Sequence, residues 1–458
     1  MAYSVNVIKI KIKIKIQGQG QGRIPMLRSF RLIIILVSIL LSSCNDDIEG
    51  DLDLVLNNVR LIDVTSGHIS EEKSVGIKGN QIVRIHHSSM QGKSTIDGSG
   101  LLLSPAFIDT HVHLTFIRNA FEIQSEEDFL AFYQSTLINF NSEIIESGVT
   151  SVVDAASFTP FFFEERERLK KSNIVSPKVY TVGKVVVNPQ SRFSEIICQG
   201  SKWCEDNLLI QLDEQSNVVD ELSALVDIGA DGIKVIYDSS FNEPVGTYER
   251  ISENLTARVI QYSQSVGLPI VSHTVANEEF ASLSLLNIDA FIHSPFPENN
   301  SFDVEGANLS EILVHSKTPV ATTAHHFDPQ SVDENERDSF ISFVENDIRP
   351  LMRRHLDLGV MYAFGTDFSD NTQMSYADTF QREVRALELL GFTNLEILQS
   401  LTVNAANFPM IKGNYGLVKV GYAADLLLFD KNPLESLIFL NKPKIVIQRG
   451  NVVYENSD

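Results

Sequence analysis

The chain has 458 residues, 43% hydrophobic and 21% charged, which excludes the apolar-poor, charge-rich composition of chains that stay unfolded. Its 59 Asp and Glu against 37 Lys and Arg give a net charge of −22, so it lacks the basic face that nucleic-acid binding requires. Three cysteines are too few for a disulfide scaffold or a structural zinc finger, and the length fits two or three domains, or one large barrel with an appendage.

Residues 1–43 read as a leader outside the mature protein. Lys9 to Ile16 alternates Lys with Ile and Gln17 to Gly22 alternates Gln with Gly, low-complexity runs with nothing to pack. Arg28 and Arg31 then lead into the apolar run Leu32 to Leu41. As a helix this run is roughly 15 Å long against a bilayer core of about 30 Å, so it reads as an export signal, with Met26 an alternative start. Leu41-Ser42-Ser43-Cys44 resembles the bacterial lipobox, in which the cysteine is lipidated and becomes the new N-terminus. The alternative is a short buried helix with an incidental cysteine. The lipobox reading makes Cys44 a membrane anchor and predicts a bacterial cell-envelope protein on the periplasmic or surface side. Taking the leader's seven basic residues from 37 leaves 30 against 59 acids, a net charge of −29. In an oxidising envelope Cys198 and Cys204 either pair or stand as two free thiols.

Residues 44–51 form a linker. From 52 to 103 short β-type runs such as Leu54-Val55-Leu56 and Ile82-Val83-Arg84-Ile85 are punctuated by Asn, Gly and Asp. The texture returns over 414–456, in Leu426-Leu427-Leu428-Phe429 and Ile445-Val446-Ile447, so a small β-sandwich built from both ends is expected. Residues 104–413 alternate short apolar runs with helical patterns: 107–111, 149–154, 178–183, 231–236, 269–273, 289–293, 319–323 and 360–367. This pattern predicts the α/β class and a (β/α)8 TIM barrel, whose chemistry sits at the C-terminal strand ends.

Polar residues gather at those ends. His111 and His113 close the first strand two residues apart, a spacing that turns both imidazoles to one side. Lys234 lies inside the apolar fourth strand, where an ammonium is costly to bury unless neutralised or modified. His273, His293 and Asp367 end strands five, six and eight. Singly each has an ordinary explanation, a surface histidine or a helix cap. Together at five strand ends they point to a metal site.

Ser104-Pro105-Ala106-Phe107-Ile108-Asp109-Thr110-His111-Val112-His113, Gly229-Ala230-Asp231-Gly232-Ile233-Lys234-Val235, the two later histidines, Gly365-Thr366-Asp367 and Gly421-Tyr422-Ala423-Ala424-Asp425-Leu426 together carry a resemblance. The chain resembles the amidohydrolase superfamily, in the branch of imidazolonepropionase-like proteins and Xaa-Pro dipeptidases, from about Leu52 to Tyr454. The resemblance implies a first metal ion on His111 and His113, a second on His273 and His293, and Lys234 carboxylated by carbon dioxide to a bridging carbamate. It implies that Asp367 binds the first ion, accepts the proton of a metal-bridging hydroxide's parent water and returns it to the leaving nitrogen. Two divalent ions, zinc foremost, are therefore expected, with a single ion on His111, His113, His273 and Asp367 as the alternative. The expected enzyme hydrolyses amide or peptide-like C–N bonds of a small molecule or short peptide, as a dipeptidase or N-acyl amino acid hydrolase. Cyclic-amide hydrolysis, a lactonase, esterase or phosphotriesterase on the same site, and a non-catalytic envelope binding protein are the alternatives, and a homo-oligomer is compatible with each.

Two departures from the family pattern bear on this. Pro105-Ala106 stands where Pro-Gly is usual, away from the metal, and Thr274-Val275-Ala276-Asn277 lacks the polar contact expected of imidazolonepropionase. Tyr237 and His325 are candidates to bind the substrate carbonyl and Arg192 a substrate carboxylate, with Asp154, Asp238 and His326 nearby in the pattern. His68, His86, His87, His315 and His355 read as surface residues.

Overall fold

The computed structural model describes residues 51–115, 120–133, 138–172, 174–241, 243–297, 300–369 and 374–456. The leader, Cys44 and the linker up to residue 50 lie outside the described residues.

Five strands come first: β1 (Leu54–Ile62), β2 (Ile69–Lys78), β3 (Gln81–His86), β4 (Ser94–Asp97) and β5 (Leu102–Pro105). The barrel staves follow as β6 (Phe107–Val112), β7 (Val149–Asp154), β8 (Lys178–Thr181) and β9 (Val185–Val187), with β10 (Leu209–Gln211) an added strand beside β9. Next are β11 (Ile233–Ile236), β12 (Ile270–His273) and β13 (Ala290–Phe291), then the small hairpin β14 (Asp303–Val304) and β15 (Ala307–Asn308). β16 (Val320–Ala321) and β17 (Tyr362–Ala363) complete the staves. Every residue of β6, β7 and β11 is buried, the mark of parallel strands covered on both faces.

All eight expected apolar runs hold a stave, with one irregularity. The third run breaks at 182–184: β8 pairs with β7, and Val186 of β9 pairs with Val235 of β11. Parallel pairing continues through β12, β13, β16 and β17. Beyond β17 the chain meets β6 again, where Thr110 N–H donates to Phe364 O (2.8 Å), Asp367 N–H donates to His111 O (2.8 Å) and Val112 bridges Phe368. The ring of staves is thereby closed into a TIM barrel. Helices between staves carry local stop and start signals. Ser252 accepts from Leu255 N–H to open the helix Glu253–Val266, and Gly267, at φ +71°, ends it.

After the barrel come β18 (Leu426–Phe429), β19 (Ile445–Gln448) and β20 (Asn451–Glu455). They join the N-terminal strands in one sheet of order β20-β19-β18-β5-β1-β2-β3, with β4 on β1. Its β3 edge meets the segment that leads into β18: Ile82 N–H donates to Tyr422 O and Ala424 N–H to Asn80 O, both at 2.9 Å. Leu54, Leu56, Val75, Ile77, Leu426, Leu428 and Ile447 fill a core of their own between these layers. One histidine departs from expectation. His355 is buried, stacked on Phe302 at 4.5 Å with Nδ1 2.5 Å from the Tyr362 hydroxyl, because the apolar face of its helix carries it inward.

Candidate metal centre

The last turn of β6 and the segment after β17 build the centre together. His111 Nε2 lies 3.2 Å from His113 Nε2, and Asp367 Oδ1 lies 3.2 Å and 3.1 Å from those two nitrogens. Donor atoms at about 2.1 Å from one ion stand roughly 3.0–3.4 Å from each other, so this triangle has the size of one face of a metal's coordination shell. Backbone chemistry puts Asp367 there. It occupies the left-handed region at φ +53°, which Asp tolerates better than most residues. Gly365 precedes it because a Cβ would stand 3.0 Å from His111 Cβ and 3.2 Å from Ala321 Cβ. Asp109 ties the two segments, accepting from His111 N (3.1 Å), Thr366 N (3.1 Å), Thr366 Oγ1 (2.6 Å) and the Tyr376 hydroxyl (2.9 Å).

His293 and His273 stand beside this triangle. The His293 ring stands 4.9 Å from His111 and 4.4 Å from His273, centroid to centroid. Donor atoms of His111, His293 and Asp367 all lie within 4.8 Å of one another. His293 Nδ1 is 2.9 Å from Thr323 Oγ1, and His273 Nε2 is 3.1 Å from Asp238 Oδ2. Lys234 is buried in β11, and no carboxylate lies within ion-pair distance of its Nζ among the described residues.

Burial sets the charge states. It drives the His111 and His293 imidazoles well below their ordinary value and His113 to about 4, leaving neutral rings with lone pairs to offer. Burial opposes ionisation of Asp367, but the His111, His113 and His293 rings around it prevail and hold the carboxyl well below its usual range. Lys234 is lowered to about 8 by burial, against the pull of Asp367 and Asp154. Asp154, at the end of β7, is raised to about 7 by burial although Leu114 N–H (3.2 Å) and the Ser157 hydroxyl donate to it.

A match to the amidohydrolase family covers residues 102–453. The chain belongs to that family. Imidazolonepropionase of Bacillus cytotoxicus is 23% identical over 419 residues, spanning 85% of this chain and 91% of that one. Two solved structures, each 20% identical, share the amidohydrolase fold over 88% of this chain and 100% of theirs. One is a prolidase complexed with N-methylphosphonate-L-proline, with a TM-score of 0.69. The other is a Xaa-Pro dipeptidase with bound methionine, with a TM-score of 0.66. As a family member this chain is a hydrolase of C–N bonds, and the family binds divalent metal ions.

Within this amidohydrolase the expected substrate contacts fare unevenly. Tyr237 turns to the outer side of the strand: its hydroxyl lies 3.3 Å from Ser282 Oγ on the helix Asn277–Leu285, under Arg250 at 3.9 Å from its ring. Strand alternation explains this, since Lys234 and Asp238 take the inward side and Tyr237 the outward one. Arg192 is ion-paired with Glu195 (2.6 Å) and lies over the Tyr248 ring at 5.4 Å. His325 is half-buried beside His326, ring centroids 4.3 Å apart, and its Nδ1 has no partner among the described residues. Cys198 and Cys204 are joined in a disulfide that ties the helix Arg192–Cys198 to the helix Lys202–Leu208. Asp109, Thr323 and Phe241, which stacks on His273 at 5.6 Å, carry structural weight the motifs did not mark. The Asp two residues before His-x-His was the one available signal for Asp109.

Proposed function

We propose that this amidohydrolase cleaves the amide bond of a dipeptide or N-acyl amino acid, using two divalent cations, zinc foremost, held by His111, His113, Lys234, His273, His293 and Asp367. The observation that carries it is the 3.1–3.2 Å triangle of two imidazole nitrogens and one carboxylate oxygen, which fits a cation between them. Lys234 suits the carbamate reading. Carbon dioxide adds only to a neutral amine, and burial lowers this lysine to about 8. The carbamate replaces an unpaired buried cation with an anion that two cations stabilise. The prolidase and Xaa-Pro dipeptidase likenesses support a small peptide-like substrate.

The cations, when bound, supply a water acidified to near neutral pH and a polarised substrate carbonyl. The chain's own part is carried by Asp367. Held as a carboxylate, it would accept the proton of the attacking water at Oδ2, the oxygen outside the triangle, and deliver it to the nitrogen that leaves. Asp109 keeps that carboxylate in line by binding Thr366 N–H and Oγ1. Phe241 covers one face of His273. The Cys198–Cys204 disulfide, the leader and Cys44 support an oxidising address, and we place the mature protein on the bacterial envelope through a lipidated Cys44.

A panel of Xaa-Pro dipeptides, N-acyl amino acids and their ester analogues, with and without chelator, tests the reading. Amine release that chelator abolishes, and that falls by about 10²–10⁴ in Asp367→Asn with an unchanged circular dichroism spectrum, is the expected result. Release indifferent to both changes, or hydrolysis of esters alone, would overturn it.

A further inference from the structure

We propose that the cleft where β8 begins is a phosphate-binding site, built by Arg166, Lys170, Lys178 and Arg449 and taking a phosphate monoester. It lies at the opposite end of the barrel from the metal centre. β7 and β8 run parallel, with Ser151 opposite Lys178 and Asp154 opposite Thr181. Lys178 therefore marks the end where the staves start, and Asp154 the end that carries the chemistry.

The cleft encloses about 480 Å³ between the helix Phe161–Lys171, the start of β8 and the β19–β20 hairpin. Four cations line it and, among the described residues, no Asp or Glu does. In a chain with 59 acids against 37 bases, this wall has the sign opposite to the molecule's own field. Two of the four charges are met: Arg166 Nη1 pairs with Asp231 at 2.6 Å and Lys170 with Glu167 at 2.5 Å. Lys178 and Arg449 have no carboxylate within ion-pair distance among the described residues, so the wall carries two uncompensated charges. A phosphate monoester brings close to two negative charges at neutral pH and three strong acceptor oxygens, which a single carboxylate does not.

The wall also has unused donors. Arg166 Nε is buried and has no acceptor among the described residues, an N–H that is costly to leave unpaired. Lys178 Nζ stands 4.4 Å from the Tyr180 ring centre and 5.4 Å from that of Tyr415. Burial, with the charges of Arg449 and Lys170 added, holds this lysine below its ordinary value, a cost that a bound anion relieves. Asp231 and Asp425 pull the other way, but Asp231 is engaged by Arg166 and Asp425 accepts Arg449 N–H at 2.6 Å. Arg449 itself occupies an unusual place. With Gly450 it forms the whole loop between β19 and β20, at φ +51° and +78°, a two-residue turn that favours Asn or Gly at both positions. A long cation there gives up turn propensity and lines the cleft instead. The Gln448 amide pins the hairpin to the barrel, donating to Thr150 O and Ser176 O at 3.0 Å each.

Titration of inorganic phosphate into the full chain at low salt, by calorimetry and ³¹P spectra with and without chelator, tests the proposal. The expected result is one phosphate per chain with a Kd below about 1 mM, unaffected by chelator. Lys178→Met, which keeps the stem over the tyrosines, and Arg449→Asn, which suits the turn, should each weaken binding about tenfold or more. Amide hydrolysis and melting temperature should stay as in the native chain. Phosphate that chelator removes is held at the metal centre, and that result overturns the proposal. So does affinity unchanged in both variants, or no binding at about 10 mM phosphate. Vesicles of phosphatidic acid, set against phosphatidylcholine, separate the sources of the phosphate. Displacement of bound phosphate by the first alone assigns the site to a lipid headgroup, and displacement by neither assigns it to a soluble ester. Displacement by both shows coverage of the cleft without recognition of the phosphate and overturns the proposal.

Discussion

Asp109 and Asp367 lie in one hydrogen-bonded unit yet are shifted in opposite directions. Burial raises Asp109 to about 6 although four donors converge on it, whereas the imidazoles hold Asp367 down. Removing Asp109 strands the donors of His111, Thr366 and Tyr376 in the interior, at about 1–3 kcal/mol for each group left unpaired. Asp109→Ala should therefore destabilise the fold by roughly 3 kcal/mol or more, read as a lower urea midpoint at unchanged slope. Glu383 gives a pH test. It is buried, accepts from Ala324 N–H at 2.8 Å, and burial raises it to about 8. Above its unfolded value of about 4.5 the folded state holds the proton more tightly than the unfolded one, so this group costs stability progressively from pH 4.5 to 8. Glu383→Gln should lack that slope, and its stability relative to the native chain should rise with pH up to about 8 and then level off. A relative stability that falls across this window would contradict the assignment.

At the scale of elements, the eight apolar runs were legible because staves covered on both faces need continuous apolar sequence. The break in the third was not. Val182, Gly183 and Lys184 interrupt the pairing through Gly183 at φ +69°, and an apolar run does not reveal a change of partner. The disulfide closes a short loop between two seven-residue helices on the segment that follows this break. Neither helix is long enough to persist alone, so the covalent tie and the buried face hold them. Replacing both Cys198 and Cys204 with Ser should cost about 2 kcal/mol by the loop-entropy estimate, seen as a lower melting temperature under non-reducing conditions. Equal melting of the two forms would show that the tie contributes nothing.

At the scale of the whole molecule, the last strands of the chain complete the sheet that the first ones begin. β18 pairs antiparallel with β5 directly before β6 starts the barrel, so closing the outer sheet also fixes the entry of the stave that carries His111 and His113. The six ligand candidates were legible because metal chemistry admits few residue types and the barrel confines them to strand ends. Asp238, Thr323 and Phe241 were not, since Thr323 and Phe241 sit in left-handed backbone and Asp238 in a loop anchored through Ser239 to Glu279 beyond the adjacent stave. Tyr237 lies on the other side of the strand from Lys234, and its hydroxyl meets Ser282, a consequence of in-out alternation that the motif did not display. The central claim is a cation centre completed by Lys234, and metal content per chain tests it most directly. After exhaustive dialysis, elemental analysis should find about two divalent ions in the native chain and far fewer in Lys234→Ala. A native chain without bound divalent metal would contradict the account.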